Sequence, residues 1–581
     1  MPANLTGLNG KMFDVVICGG GLAGLTLARQ LRRALPQHSV LLVDRLSRPL
    51  PDASFKVGES TVELGAHYLG EKLNLSDYFA TKQLLKMGLR YFIGSPEGPL
   101  QERPEYGLSV FPEVSSYQID RGILENDLRA MNEADGVTLI EGASIKDVVL
   151  AKDGQPHRVE LTNGDPSQVT TVEAKWVVDA SGRRRLLQRK LGLERKGANA
   201  CSAVWFRLEG RVDVDSLVPA SETEWHGRVP DGNRYFSTNH LMNHGYWVWL
   251  IPLSSGNTSI GIVTADAIRP FAEYNTPELT KEWLRKNEPL FSAMIEGQPF
   301  LDFKCMHHYS YSSKQVYSTD RWACVGEAGV FADPLYSPGT DLIGFGNTMV
   351  TEMIRRDSEG VLTPELVGAY NQFVLGLNDS LTDNIQLGYP LFGHPVAMTA
   401  KLVWDNTAAW SFLCPQMFNS IFLDPFGKHA QIRAVTAPFF ALTKRMQGLF
   451  KDWAMMSPGK LTYDFMDYLS IPYLYTLRLR NLKSGKEMPE LVADHQQNMA
   501  IVEELAQVLF LLAVEDVLPE QMHRFPENTW LNAWRLSLNP DRWDADGLFK
   551  PSTAARDLRP IRNDVRSIFR MRTVEAEAAC V

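Results

Sequence analysis

Phe13-Asp-Val-Val-Ile-Cys18, followed at once by Gly19-Gly-Gly21-Leu-Ala-Gly24, is the stretch whose reading decides the fold. The short apolar run reads as a buried strand and the glycines as a tight turn. Leu25 to Ala34 then reads as a helix, and Val40-Leu-Leu-Val43 as a second strand that ends on Asp44, 20 positions past Gly24. A strand, a glycine turn, a helix and a strand closed by an acid form the dinucleotide-binding unit of an α/β protein. Gly19, Gly21 and Gly24 serve a tight turn, close approach of backbone to a pyrophosphate and tight packing of helix on strand. The helix N-terminus offers free N–H groups to the anion, and Asp44 accepts from the ribose. The unit by itself does not choose between FAD and NAD.

Working outward, 581 residues exceed one typical domain, so two coupled regions are expected. The net charge of −9, with Lys and Arg scattered, supplies no footprint for a nucleic-acid partner. Cysteines at 18, 201, 305, 324, 414 and 580 show neither close pairing nor metal-ligand spacing, so reduced thiols in a reducing compartment are expected and no metal site is. The N-terminus has no basic stretch leading into a long apolar run, and no apolar run long enough to span a bilayer appears, so a cytoplasmic protein without a transmembrane segment is expected. Segments with period-two character, such as Trp205-Phe-Arg-Leu-Glu and Tyr246-Trp-Val-Trp-Leu-Ile, predict a further sheet between the nucleotide-binding segments. From about residue 360 the pattern turns helical, as in Val502-Glu-Glu-Leu-Ala-Gln-Val-Leu-Phe-Leu-Leu-Ala. Aromatic clusters there, among them Trp410-Ser-Phe and Tyr473-Leu-Tyr475, read as helix-packing core or as a pocket wall. About the last 20 residues read as an exposed tail.

Four further segments carry a resemblance. Phe331-Ala-Asp-Pro334-Leu-Tyr-Ser337-Pro-Gly339 fits the pattern FxxPxxSxG, Trp247-Val-Trp249-Leu-Ile251-Pro252 fits WxWxIP, Lys56-Val-Gly58-Glu59-Ser60-Thr61 contains GES, and Lys86-Met-Gly-Leu-Arg-Tyr resembles a lysine-bearing strand. Together they resemble the flavin-dependent halogenases over roughly residues 13 to 355. Trp176-Val-Val-Asp179-Ala-Ser-Gly182 and Arg321-Trp-Ala-Cys-Val325-Gly326-Glu327 resemble flavoprotein segments, the second with Glu where Asp is usual. FAD is therefore the expected cofactor.

The resemblance implies an FAD-binding Rossmann-like domain with an inserted mixed substrate-side sheet and a helical C-terminal region. The expected module covers residues 1–360, with nucleotide-binding segments at 13–60, 117–185 and 318–355 and the substrate-side sheet at about 61–116 and 195–310. Residues 361–581 are expected to shape the substrate pocket. It implies that FADH2 from a separate reductase, O2 and chloride or bromide halogenate an electron-rich aromatic in secondary metabolism, free or on an acyl or peptidyl carrier protein. A hydroxylase or desaturase on the same scaffold is the alternative. Trp247 and Trp249 would wall the flavin from the substrate, while Lys86 would hold hypohalous acid or become a haloamine. Alternation would place Lys86 and Gly88 on one face of a strand. Ser337 belongs to the catalytic set, and Lys56, Glu59, Ser60, Arg121, Gly326, Glu327, Pro334 and Gly339 to the cofactor set. Glu59 alternatively caps a helix that begins near Val62, and Arg121 contacts FAD phosphates or forms a surface salt bridge. A helix starting after Gly339 would aim its N–H groups at the flavin pyrimidine edge. Tyr336 stands where tryptophan-specific members carry Glu, which disfavours free tryptophan. Pro338 lacks an N–H at the halide site, leaving Gly339 and Thr340 as the donors.

Overall fold

The computed structural model describes residues 5–51, 56–165, 168–197, 200–459, 461–527, 529–568 and 572–573. The opening stretch folds as its pattern dictates. Met12–Cys18 is a strand with Val15 to Cys18 fully buried, the helix Leu22–Ala34 follows with Gly21 at its N-cap, and Val40–Asp44 pairs parallel to the first strand. These strands lie in an eight-stranded sheet ordered Tyr317–Ser318, Trp322–Cys324, Val169–Asp179, Met12–Cys18, Val40–Asp44 and Thr138–Glu141, with His157–Thr162 branching off antiparallel to Val169–Asp179 and Ser144–Val149 antiparallel to His157–Thr162. The parallel strands read as near-continuous apolar runs because helices cover both faces of such a sheet.

A second eight-stranded sheet runs Asp302–Met306, Cys201–Leu208, Thr258–Ala265, Tyr246–Pro252, Thr238–Asn243, Leu89–Ile93, Glu105–Gly107 and Phe465–Asp467. Its last strand comes from the C-terminal region, where the sequence predicts only helix. Phe465–Asp467 is too short to show a period of its own and is held by pairing with Glu105–Gly107.

Apart from that strand and one two-residue strand pair, the described chain beyond residue 360 forms helices and connecting segments, with Pro364–Gln386, Pro395–Ala408, Pro438–Met456 and Met488–Val517 the longest helices. No described helix is long and apolar enough to cross a membrane. Trp404, Trp410, Trp453 and Tyr473's neighbour Leu474 are buried in the main core, which settles the C-terminal aromatics mostly as packing. The expected tail falls largely outside the described residues. Its described part is docked rather than exposed, because Ile561 and Val565 of the helix Arg559–Ile568 are buried and Arg572–Thr573 pairs with Leu461–Thr462. The five described cysteines are free thiols, and Cys580 lies outside the described residues.

Candidate active site

The two sheets meet over one large cavity, with about 920 Å³ of free space including its mouth. Leu22 of the fingerprint helix, Gly58 to Ser60, Arg121, Thr238, His240, Trp247, Trp249, Ile251, Gly326, Glu327, Pro334 and Ser337 to Thr340 are on its wall. The structure thus gathers Glu59, Ser60, Arg121, Trp247, Trp249, Gly326, Glu327, Pro334, Ser337, Gly339 and Thr340 around a single space. Gly19, Gly21, Gly24, Asp44, Lys56 and Lys86 are not on the wall.

The fingerprint residues sit beside it. A Cβ on Gly19 would stand 2.4 Å from the Ala180 carbonyl oxygen, and one on Gly24 would stand 2.0 Å from that of Gly19, so both glycines are demanded by packing. A Cβ on Gly21 would meet nothing within 4 Å, which leaves the helix N-terminus open to a ligand. Asp44 accepts from Arg129 at 2.5 Å, and Arg129 also bonds Glu141 at 2.7 Å, so the acid is held in place at the strand end.

Arg121 heads the helix Arg121–Ala134, which Asp120 caps by accepting from the Gly122 and Ile123 N–H groups. Its guanidinium donates to Glu125 at 2.5 Å and to the Val57 carbonyl at 2.7 Å while still facing the cavity, and Lys56 pairs with the same Glu125. Burial pushes the Glu125 carboxyl up, and Arg121 and Lys56 more than offset this to leave it below its ordinary value. Arg121 therefore makes an ion pair, but on the cavity wall rather than the outer surface.

Glu59 does not cap a helix. The helix Glu63–His67 has Val62 at its N-cap with no side-chain bond, and the Glu59 carboxylate instead accepts from Arg207 at 3.0 and 2.6 Å. A buried guanidinium outcompetes a solvent-screened helix end for the carboxylate. Arg207 also pairs with Asp302 at 2.6 Å.

The serine segment reaches the cavity just ahead of the 20-residue helix Gly339–Ser358. Ser337 holds φ +55°, a left-handed conformation that costs a non-glycine residue about 1 kcal/mol or more. Its N–H donates to the Pro334 carbonyl at 2.9 Å, and its hydroxyl to Ser60 Oγ at 3.1 Å. The Gly339 and Thr340 N–H groups, in the first helical turn, have no intrahelical acceptor and border the cavity.

Trp247 and Trp249 occupy alternate positions of the strand Tyr246–Pro252 and so share a face. Their ring centroids are 5.6 Å apart. The Trp249 ring lies flat over Gly261 of the next strand, where a Cβ would stand 2.2 Å from the indole. Trp247 Nε1 donates to the Tyr389 hydroxyl at 3.1 Å. Tyr389 and Tyr309 in turn donate to Asp333 at 2.9 and 2.6 Å, and burial raises the Asp333 carboxyl to about 6.

Lys86 is fully buried. Its amine donates to Ser60 Oγ and to the Thr61 carbonyl, both at 2.7 Å, and Ser60 is the wall residue that also receives Ser337. Burial pulls the amine down to about 7 against the upward pull of Glu63 and Asp341. Asp341 is buried too and pushed up to about 8. The expected continuous strand is broken, because Leu84–Lys86 pairs with Ser116–Gln118 in a separate ribbon and Leu89–Ile93 belongs to the large sheet. Between them Gly88 turns at φ +68°, where a Cβ would stand 2.4 Å from the Tyr468 hydroxyl, so simple alternation does not relate Lys86 to Gly88.

Sequence reading missed His240, which stacks on Tyr91 at 4.6 Å, bonds the Arg90 carbonyl and is pulled by burial down to about 3. It missed Arg207, Asp333, Asp341 and Tyr389 as well. One of these had a visible signal, since Asp333 is an acid within an apolar motif; Gly261, the isolated glycine inside a strand pattern beneath Trp249, was a further mark of close approach.

A strand–glycine–helix unit with its closing acid, opening on a large cavity roofed by a second sheet, defines a nucleotide-dependent oxidoreductase. The tryptophan halogenase family profile matches residues 100–392, and that of an NAD(P)-binding Rossmann-like domain matches residues 17–86. The chain belongs to the tryptophan halogenase family, and is a flavin-dependent halogenase, an FAD-dependent oxidoreductase by class. It is 25% identical over 448 residues to the flavin-dependent halogenase chlA of Dictyostelium discoideum, covering 72% of this chain and 73% of that protein. It is 28% identical over 348 residues to the 1H-pyrrole-2-carbonyl peptidyl-carrier-protein chlorinase of Pseudomonas fluorescens, covering 57% and 73%. The crystal structure of halogenase PltM with phloroglucinol and FAD shares the fold at a TM-score of 0.59, with 18% identity over 85% of this chain and 96% of that one.

Proposed function

We propose that this halogenase transfers chlorine or bromine to an electron-rich aromatic ring, a phenol or pyrrole rather than free tryptophan, with Lys86 as the relay. The observation that carries this is the buried Lys86 amine, one hydrogen bond behind the cavity wall at Ser60, which burial pulls down to about 7 so that its uncharged form is accessible at neutral pH.

The residues fit FAD. The open Gly21 position and the helix N-terminus behind it suit a pyrophosphate, Asp44 suits a ribose, and Arg121, Glu327 and the Gly339 and Thr340 N–H groups face the space left for the flavin. Bound and reduced, FAD supplies the electrons and the O2 activation by which a halide is oxidised. The Gly339 and Thr340 N–H groups are the proposed halide donors, since Pro338 has none and the Ser337 N–H is spent on Pro334. Trp247, Trp249 and Ile251 exclude an organic ring from that space and leave a passage for a small oxidant. The neutral Lys86 amine then takes halogen from hypohalous acid with release of water, and an aromatic carbon displaces the restored amine from it while losing a proton. At the base position of tryptophan-specific members, Tyr336 instead donates to Asp405 at 2.8 Å, so the ring's own heteroatom must stabilise the cation. Residues 361–581 are the proposed pocket wall. Carrier-tethered substrate is supported by the names of two relatives, a chlorinase and a brominase of pyrrolyl carrier proteins, and a separate reductase by the lack of a recognised second nucleotide fingerprint in the sequence.

The test supplies purified protein with FAD, a flavin reductase, bromide and monochlorodimedone or a simple phenol. Brominated product is expected, abolished in Lys86→Ala while flavin binding persists. Product carrying oxygen from O2 in place of bromine would establish the hydroxylase alternative instead.

A further inference from the structure

Away from the cavity, at the edge of the substrate-side sheet, three potential ligands converge from two strand ends. Asp266 follows the strand Thr258–Ala265, and His307 and His308 follow Asp302–Met306. The strand Cys201–Leu208 lies between those two. Consecutive side chains in extended chain point to opposite sides. His308 instead adopts φ +47°, and the two imidazoles lie on one side with ring centroids 3.7 Å apart. His307 Nε2 and His308 Nε2 stand 3.3 and 3.1 Å from the same Asp266 oxygen.

The surroundings fix this arrangement. Ser202 Oγ donates to that oxygen at 3.0 Å and accepts the His308 N–H at 3.2 Å, while Phe271 stacks on the His307 ring at 5.0 Å. The other Asp266 oxygen is buried with no hydrogen-bond partner. Both imidazoles remain about half exposed, which gives an ion an entry path.

A zinc ion holds imidazole nitrogen and carboxylate oxygen at roughly 2.0–2.2 Å, and tetrahedral geometry then sets neighbouring ligand atoms roughly 3.3 Å apart. The separations of the two imidazole nitrogens from the Asp266 oxygen match that spacing, and all three ligand atoms lie within 4.8 Å of one another. We propose that Asp266, His307 and His308 form a site for a divalent transition-metal ion of the zinc type, with three protein ligands and an open position for water. Two imidazoles and one carboxylate are donors suited to zinc, copper or iron and poorly suited to calcium or magnesium, which take oxygen cages. Adjacent histidines and an acid 41 positions upstream form no spacing motif, so only the fold reveals the group. The site is linked to the cavity by a chain that starts at the next residue: Tyr309 and Tyr389 both donate to Asp333, and Trp247 of the cavity wall donates to Tyr389.

The experiment titrates metal-stripped protein with Zn²⁺ against a chromophoric chelator. One equivalent per chain is expected, with affinity at least about tenfold lower in His307→Ala and in His308→Gly, since loss of an outer-shell partner alone costs 10–100-fold. Glycine suits the positive φ at 308, so His308→Gly should keep the metal-free thermal midpoint, separating loss of a ligand from loss of fold. No saturable equivalent in the natural sequence overturns the proposal. So does unchanged affinity in a variant that combines His307→Ala with His308→Gly, including the case in which Cys305→Ser, at the exposed thiol two residues away, abolishes the binding.

Discussion

Replacing Lys86 by Met tests the relay and the energetics of its burial together. The amine falls from 10.5 to about 7 on folding, and each pKa unit is worth about 1.36 kcal/mol, so the pocket disfavours the ammonium by about 5 kcal/mol. The sign follows from linkage. The folded pKa lies below the unfolded one, so the cost is fully present below pH 7, shrinks as pH rises and is gone above 10.5. Methionine removes that cost and also the hydrogen bonds to Ser60 and Thr61, worth roughly 1.5–3 kcal/mol each when the donor is charged. The two nearly cancel at pH 7, so Lys86→Met should lose halogenation with its stability within about 2 kcal/mol of the natural sequence. Between pH 7 and 10 the lysine protein should gain on the variant, at up to about 1.4 kcal/mol per pH unit. With the amine pulled down to about 7, its uncharged form grows through neutral pH, so halogen transfer should rise by up to about tenfold from pH 6 to 8. Calorimetric midpoints from pH 6 to 9 and product formation with excess reduced flavin measure both. A transfer rate flat from pH 6 to 8, or a variant destabilised equally at every pH, would refute the reasoning.

Three other outcomes follow from the same geometry. Gly21→Ala puts a methyl into the space left for pyrophosphate, so flavin affinity measured by fluorescence should fall at least tenfold while the flavin-free thermal midpoint changes by about 1 kcal/mol or less. Gly261→Val drives the Trp249 indole off its strand at a cost of about 1–3 kcal/mol, and should lower halogenated product per reduced flavin consumed, read by chromatography against oxygen uptake. Asp333, raised from 3.8 to about 6, costs nothing below pH 3.8 and about 3 kcal/mol above 6, so the natural sequence should lose stability between those values by an amount that Asp333→Asn does not show in calorimetry.

What the sequence revealed was local. The fingerprint was legible because strand, turn, helix and closing acid all fall within residues 13–44, each with its own period or conformational demand. The motifs holding Trp247, Trp249 and Ser337 were legible as patterns, and the structure brings all three to one cavity. What sequence could not show was partnership across distance. Glu59 finds Arg207 148 residues away, Asp333 meets Tyr389 56 residues away, and Asp341 lies near Lys86 only because helix Gly339–Ser358 packs on Glu63–His67. The Lys86 strand was misread for a related reason. Six residues of suitable alternation hid a break at Gly88, whose positive φ answers to Tyr468, nearly 400 positions on.

Those distant partnerships divide the buried charges of one region into two kinds. Arg90, Glu105 and Arg234, all fully buried, form a paired set in which each guanidinium meets the carboxylate directly. Arg234 reaches on to Asp215 at 3.4 Å, and every charge in the set is matched by an opposite one, which fixes strands against one another. Lys86 and Asp341 are as deeply buried, yet among the described residues neither joins an ion pair, and burial drives both toward neutrality. A protein selected for stability alone would put apolar side chains at these two positions, since unpaired ionisable groups are expensive to bury. Their placement near Ser60 and Ser337 suits the proposed relay, which needs an uncharged amine at neutral pH. An ammonium has no lone pair with which to receive halogen, and an exposed lysine would hold its proton. In the proposed relay, burial without a paired carboxylate would supply the reactive form, and a shift of Glu63 or Asp341 into contact with the amine would remove it.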